Sequence, residues 1–266
     1  KDPVDTYVPL YVRDNQISTQ YIMTTLEELG LLKMDFLGLR TLTVIKDTIN
    51  LVKKDKGIDV EFDENMADPK VYKLWQEGQT CGIFQFESQG MTNFMKELKP
   101  DCLEDLIAGV SLYRPGPMDQ IPRYIRGKQN PGHNEYTHPS LEPILNVTYG
   151  CMVYQEQVMQ IVRDLAGYSL GRADLVRRAM GKKKLDVMAK EREVFINGQV
   201  DENGKVEVPG CVRNGIDAES ANKIFDEMAE FAKYAFNKSH AACYAVVAYR
   251  TAYLKAYYPA EFMASM

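Results

Sequence analysis

Cysteine is scarce and scattered in this sequence. The five cysteines form no C-x-x-C pair, which disfavours a disulfide framework or a zinc site and favours buried or free thiols in a reducing cytoplasm. No apolar run reaches the roughly 18 residues that a membrane span requires, and no signal-peptide pattern is present. We therefore expect a soluble, cytoplasmic chain that makes no membrane contacts.

Several widespread catalytic signatures are also missing. The sequence has no Walker-type phosphate loop, no G-x-G-x-x-G after a strand, no G-x-S-x-G elbow and no H-E-x-x-H. Its net charge of −5 argues against a histone-like binder of nucleic acids, although a basic groove on an acidic body remains compatible with that charge. The length of 266 residues allows one large domain or two smaller ones.

Two consecutive helices are predicted between Cys151 and Lys184. The first has apolar residues at i, i+3, i+4 and i+7 and ends at Gly167. The second is shorter, and we expect Gly181 to adopt a left-handed C-terminal cap after it. The predicted inward residues are Val158, Ile161, Val162 and Leu165 in the first helix, and Ala173, Val176 and Met180 in the second.

The second of these helices carries a dense basic cluster. Arg177 and Arg178 lie within it, Arg172 is nearby, and Lys182, Lys183 and Lys184 follow its end. Such a cluster repels itself unless solvent or an anionic partner offsets the charge. Two interpretations remain open, namely a solvated basic surface and a presented phosphate-binding element.

A buried strand is predicted over residues 31–39. Alternation would place Lys33 and Asp35 on one face, and burying such a pair is costly unless the two groups bind each other or an ion. A plain ion pair at a sheet edge is one interpretation. The other is that Asp35 is a metal ligand and that Lys33 faces a phosphate.

Two further stretches could meet nucleic acid. Residues 113–128 interleave tyrosines with arginines and a lysine, which suits bases and phosphates, although packing and solvation near turns are the commoner explanation of such a pattern. The run from Asn237 to His240 begins the last long helix, so it predicts either an anion site or an ordinary cap, with Ser239 as the N-cap.

The remaining pattern is mainly helical. Asp68, Ser88 and Asp101 are predicted N-caps, residues 81–88 a short strand, and residues 198–210 a small hairpin around an Asn-Gly turn. The fold class predicted from the sequence is therefore mainly α with a few short β-strands.

Long segments of the chain resemble the alpha subunit of bacterial DNA polymerase III, the replicative family C polymerases, and are more similar to the DnaE type than to the PolC type. The matching segments, in family order, are LLKMDFLGLRTLTVI, GIFQFESQGM, SLYRPGPM, TYGCMVYQEQVMQIVRDLAGYSLGRADLVRRAMGKKK and FNKSHAACYAVVAYRTAYLKAYYPAEFMA.

The resemblance implies a template-directed polymerase that uses dNTPs, template-primer DNA and two Mg²⁺ ions. Residues 1–40 would be the C-terminal part of a polymerase-beta-like palm, including its last strand, and residues 41–266 the helical fingers. Asp35 would be the third metal-binding, catalytic aspartate, and Lys33 would contact nucleotide phosphates. Arg177, Arg178, Lys182, Lys183 and Lys184 would hold the triphosphate, with Arg114, Lys238 and His240 as neighbours of the pocket or of the DNA backbone.

The sequence departs from that family in one important respect. No Asp-x-Asp occurs before Asp35, where the family has its other two metal ligands. We therefore expect a piece of a longer protein that is inactive alone and that would meet the sliding clamp and other replisome subunits through regions absent here. The alternative is a non-catalytic helical module that binds nucleic acid or a protein partner.

Overall fold

The computed structural model describes residues 2–34, 36–181, 185–232 and 234–266. They divide into two compact units, residues 1–40 and residues 41–266. Helices dominate, and each of the two sheets found has only two short strands. The predicted mainly α fold class is confirmed. Among the described residues, no helix combines the length and the apolar character needed to cross a membrane.

The first unit is a hairpin followed by one short helix. Strands β1 (Leu10–Arg13) and β2 (Gln16–Thr19) pair antiparallel, and Asp14 and Asn15 make the turn at positive φ. Helix α1 (Met23–Glu28) follows, and a 3-10 turn (Val4–Thr6) precedes the hairpin.

The strand predicted over residues 31–39 does not form. Residues 31–34 and 36–39 have no regular secondary structure. Leu32 and Phe36, which alternation would place on the apolar face of the predicted buried strand, are 81% and 90% exposed. A strand is stable only when a neighbour satisfies its backbone groups. Among the described residues, β1 and β2 pair only with each other, and residues 31–39 add no strand to either free edge of that sheet.

The second unit is built from twelve consecutive α-helices, among its described residues. In chain order these are α2 (Arg40–Lys56), α3 (Pro69–Gln76), α4 (Gln89–Leu98), α5 (Leu103–Leu112), α6 (Ile121–Gln129), α7 (Glu142–Leu145), α8 (Gln155–Ala166), α9 (Leu170–Gly181), α10 (Leu185–Asn197), α11 (Ala218–Phe231), α12 (Lys238–Tyr257) and α13 (Pro259–Ser265). Short 3-10 turns occur at Pro117–Gln120, Pro139–Leu141 and Asn146–Thr148, and strands β3 (Gln199–Val200) and β4 (Val206–Val208) form the predicted hairpin.

Two large apolar clusters and one small one fill this unit. The first joins α3, α4, α5, α6 and α12, and the second joins α7 to α11. The small third cluster contains Ile45, Leu254 and Phe262. The extended segment before α8 lies between the two large clusters, since Cys151 and Val153 belong to the first and Met152 to the second.

Local sequence signals explain most helix ends. The Asp68 and Ser88 side chains accept hydrogen bonds from the amides of Lys70 and Met91, as a helix N-cap does. Gly167 ends α8 at a φ of 78°, and a Cβ there would lie 2.6 Å from Pro209 Cδ, so the position needs glycine twice over.

Three local predictions are wrong. Residues 81–88 form turns instead of a strand, and Gly181 is the last residue of α9 without a left-handed backbone. The N-cap of α5 is Cys102 instead of Asp101. Asp101 does not cap α5 because its carboxylate instead makes a tertiary contact, accepting a hydrogen bond from Lys128 Nζ at 2.8 Å.

Candidate nucleotide and nucleic-acid interface

A buried glutamine positions the start of α8. Gln157 Oε1 accepts hydrogen bonds from the amides of Val153 and Tyr154 at 2.8 and 3.0 Å, and its Nε2 donates to Thr148 Oγ1 at 2.8 Å. Gln157 is only 3% exposed, so these bonds form where water does not compete. The segment that precedes α8 is therefore held rigidly.

The same segment joins the chain just before α12. Tyr154 and Phe236 form an isolated parallel β-bridge. The Gln155 amide donates to the Phe236 carbonyl at 2.9 Å, and Gln155 Nε2 donates to the Ala235 carbonyl, also at 2.9 Å. We call this contact between residues 154–156 and residues 235–237 the junction.

Two arginines of α9, Arg177 and Arg178, lie on one side of the junction. Arg177 Nη1 donates to Gln155 Oε1 at 3.1 Å, while its Nε and Nη2 donate to Asp174 Oδ1 at 3.0 and 2.7 Å. Arg178 Nε contacts the other oxygen of Asp174 at 2.8 Å. The Arg177 hydrogen bonds, assisted by the charge of Arg178, hold the pKa of Asp174 below its ordinary value. Two guanidinium groups thus share one carboxylate.

The other side of the junction is the N-terminus of α12. Its N-cap is Asn237, whose Oδ1 accepts from the His240 amide at 2.9 Å, so the predicted cap at Ser239 is two residues too late. The Glu156 carboxylate accepts from the Lys238 amide at 3.1 Å and from Asn237 Nδ2 at 2.8 Å. The anion that the sequence pattern predicts at this helix start is therefore supplied by the chain itself.

Two residues named from the sequence, Arg114 and His240, contact the Phe236 ring, and a third, Lys238, lies at the same helix start. The Arg114 guanidinium lies 3.8 Å from the centre of the Phe236 ring, in a cation–π contact. The His240 ring lies 5.3 Å from that ring and 4.3 Å from the Tyr244 ring. Lys238 Nζ contacts Glu104 at 3.0 Å. Arg114, His240 and their aromatic neighbours line a cavity of about 290 Å³.

The structure therefore brings four of the predicted site residues to one junction. Arg177, Arg114, Lys238 and His240 each contact the junction segments or belong to them, and Arg178 shares the carboxylate of Arg177. Lys33 is exposed in the first unit. Asp35, Lys182, Lys183 and Lys184 lie outside the described residues.

Sequence reasoning missed the acidic partners of these cations. Asp174 is three and four residues before Arg177 and Arg178, a helical spacing that indicates ion pairing. That signal was available in the sequence. The contacts of Glu156 with Lys238, and of Lys238 with Glu104, join residues 82 and 134 positions apart, so no local pattern reveals them.

The described residues do not make up a two-metal centre. Among them, the one group of three mutually close metal-ligating side chains is Asp101, Cys102 and Asp105, and Lys128 already binds both of its carboxylates. Each Mg²⁺ requires an octahedral shell of oxygen ligands. The first unit provides no clustered set of carboxylates among its described residues.

Comparison with known proteins identifies the family. Residues 41–203 match the family described as the bacterial DNA polymerase III alpha subunit finger domain, and residues 1–38 match the bacterial DNA polymerase III alpha NTPase domain. The chain therefore belongs to the bacterial DNA polymerase III alpha subunit family.

Individual relatives agree with that assignment. The chain is 50% identical to the DNA polymerase III subunit alpha of Thermus aquaticus over 100% of its own length. It is 47% identical to that of Aquifex aeolicus over 98% of its length, and 48% identical to that of Treponema pallidum over 100%. It spans only 21% of the Thermus protein and 22% of each of the other two, about a fifth of their length.

Proposed function

We propose that this chain supplies the fingers, residues 41–266, and the end of the palm, residues 1–40, of a replicative DNA polymerase in the bacterial cytoplasm, at the nucleoid. The reaction is template-directed extension of a primer 3′-OH by a dNTP, with release of pyrophosphate. Template-primer DNA and dNTPs are its substrates, while the sliding clamp and other replisome subunits bind elsewhere in the intact protein.

The sharing of Asp174 by two arginines is the observation that carries this proposal. One carboxylate neutralises one of the two positive charges, so Arg177 and Arg178 together keep an excess of one. Their donors are also preorganised, because the contact with Gln155 ties Arg177 to the junction. Fixed cations of this kind stabilise the charge that develops during phosphoryl transfer.

Each predicted residue receives a role under this proposal. Arg177 and Arg178, with Lys182 to Lys184 after them, hold the triphosphate, and Lys33 contacts a phosphate. Arg114, Lys238 and His240 line the adjoining part of the nucleotide or DNA site.

Asp35 contributes one carboxylate to the Mg²⁺ ions of the intact enzyme, which lower the cost of charge development at the transferred phosphate. One carboxylate does not hold two such ions. We therefore expect these 266 residues alone not to extend a primer, and extension by the purified 266-residue chain in the presence of Mg²⁺ would contradict that expectation.

The test of the triphosphate site compares two arginines in the intact protein. Arg178→Ala removes a cation of the proposed site, whereas Arg163→Ala removes one that is paired with Asp164 on α8, outside that site. Calorimetric titration with Mg·dATP at two salt concentrations is expected to show about tenfold weaker binding for Arg178→Ala, the effect of one charge-assisted hydrogen bond. Arg163→Ala should bind as the parent does.

The reciprocal variant removes the internal competitor. Asp174→Asn leaves both arginines in place and deletes the carboxylate that they share, so dATP affinity should rise. The proposal is wrong if Arg178→Ala and Arg163→Ala bind dATP equally well, or if Asp174→Asn weakens binding as much as Arg178→Ala does.

A further inference from the structure

A second concave site lies on the second unit, formed by α6, the loop after it and the residues before α8. It has a volume of about 520 Å³, within the range of about 300–1,000 Å³ that is typical of sites for small ligands. It shares no residue with the junction or with α9. Its lining residues are Arg123, Arg126, Gly127, Asn130, His133, Asn134, Glu135 and Tyr149.

Close packing shapes the floor of this pocket. A Cβ on Gly127 would lie 2.5 Å from Tyr149 Cβ and 2.8 Å from Asn134 Oδ1, so only glycine lets these residues approach α6. Arg123 Nη2 donates to the Glu135 carbonyl at 3.0 Å, which holds the loop against the helix. The Tyr149 ring packs edge-to-face on Tyr124, with ring centres 5.0 Å apart. The concavity is therefore part of the fold.

Two arginines in the pocket have no carboxylate partner among the described residues. Elsewhere in the second unit Arg163, Arg172, Arg177, Arg178 and Arg192 form ion pairs, whereas Arg114 and Arg250 lie over aromatic rings. Neither Arg123 nor Arg126 has an ion pair with any described residue. The Arg126 guanidinium also donates no hydrogen bond to a described residue. Both arginines line the same concavity.

Further polar groups in the lining make no side-chain hydrogen bond within the part of the chain that the structure describes. The side chains of His133 and Asn134 and the hydroxyl of Tyr149 make no hydrogen bond to a described residue. Glu135 is the one acidic residue in the lining, so the two arginines exceed the acids by one charge. The pocket thus combines two cations, an aromatic ring and amide groups.

We propose that this pocket binds one nucleotide of an unpaired DNA strand, with its phosphate between Arg123 and Arg126 and its base beside Tyr149 and Asn134. Guanidinium groups bind phosphate oxygens, and aromatic and amide side chains accommodate bases without strong sequence preference. An acidic peptide would use the two arginines but would leave the ring and the amides without a role. The pocket is thus a second contact for nucleic acid, separate from the proposed triphosphate site.

The test measures binding of a fluorescent oligothymidylate to the intact protein by anisotropy, without dNTP. Arg126→Gln should weaken binding about fivefold, as expected for one exposed charge pair, and should lower the slope of log K against log salt by about 0.7, as expected for one phosphate contact on a single strand. Glu135→Gln, which keeps the backbone carbonyl that Arg123 binds, should strengthen binding. Arg213→Gln, at an exposed arginine distant in sequence, is the matched control and should change neither quantity.

Two competitors identify the ligand. If thymidine monophosphate competes as strongly as the oligonucleotide, the ligand is a free nucleotide and not a DNA strand. If a polyglutamate peptide binds and its binding depends on Arg126, the ligand is an acidic protein segment. Either result overturns the proposal, as does an unchanged salt slope in Arg126→Gln. Because Arg126→Gln should leave dATP binding unchanged, failure here is distinguishable from failure of the triphosphate site, which Arg178→Ala reports.

Discussion

At the scale of single residues, Asp105 is the most buried carboxylate among those that the structure describes. It is 1% exposed, and its Oδ2 accepts hydrogen bonds from Lys128 Nζ at 2.5 Å and from the Asp101 amide at 3.1 Å. Burial raises the pKa of Asp105, and the bond from Lys128 opposes that rise. Burial also disfavours the charged form of Lys128, but its bonds to Asp101 and Asp105 more than offset this and keep its pKa above the ordinary value. The ion pair ties α6 to the start of α5.

Lys128→Met should therefore destabilise the fold strongly. It leaves the buried Asp105 carboxylate without its cation, and loss of one partner of a buried pair costs about 3–5 kcal/mol. Urea denaturation of the variant measures the change in the free energy of unfolding. Lys190→Met, at an exposed position of α10, should change it by less than about 0.5 kcal/mol. Similar destabilisation by the two substitutions would show that the pair contributes little.

Residue identities could be predicted only where the partner is near in sequence. Arg177 and Arg178 stand out because charge is concentrated around them, and Asp174 lies within one helical turn. Arg126 belongs to the stretch 113–128 that the sequence marked as a possible contact for nucleic acid, but Glu135 did not stand out, because the pocket exists only once Tyr149 packs against Gly127. Asp101 was assigned as a cap because its preferred partner, Lys128, lies 27 residues away.

Among the structural elements, the helices were predictable and the strands were less so. The inward faces predicted for α8 and α9 are confirmed, because one helix contains its own hydrogen bonds and its own periodicity. The hairpin of β3 and β4 is also local, since Asn203 and Gly204 form its turn. The strands predicted over residues 31–39 and 81–88 did not form, because a strand depends on neighbours that its own sequence does not specify.

The start of α12 is the element whose stability depends on a distant charge. Glu156→Gln keeps an oxygen near the Lys238 amide but removes the negative charge from the helix N-terminus, which should cost about 1 kcal/mol. Amide hydrogen exchange at Lys238 and His240 should then accelerate. Glu193→Gln, whose oxygen accepts from Asn197 on a single helix, is the control and should leave exchange at α12 unchanged. Unaltered protection in Glu156→Gln would mean that Asn237 alone stabilises this end.

At the scale of the whole molecule, the two units differ in how much core each contains. In residues 1–40 the one buried apolar side chain among the described residues is that of Val8, whereas all three apolar clusters are built from residues of the second unit. Chains of about 40 residues seldom bury enough surface to fold without a metal, disulfides or a partner. Stability should therefore reside in residues 41–266.

Residues 41–266 alone should unfold in one cooperative thermal transition, while the peptide 1–40 should show no transition by circular dichroism. The control is the fragment 41–237, which lacks α12 and therefore part of the first cluster. That chain should show no sharp transition. A broad, non-cooperative transition in 41–266 would contradict the assignment of the core to this unit.

The carboxylate shared by Arg177 and Arg178 also determines which solutes can reach them. Asp174 is attached to the same helix, so it competes with any incoming anion at a high effective concentration. A monovalent ion such as chloride or acetate offers each arginine no more than Asp174 already does. A polyanion that contacts several cations at once gains by displacing it. The ion pairs with Asp174 should therefore favour the binding of polyanions over that of monovalent anions at these two arginines.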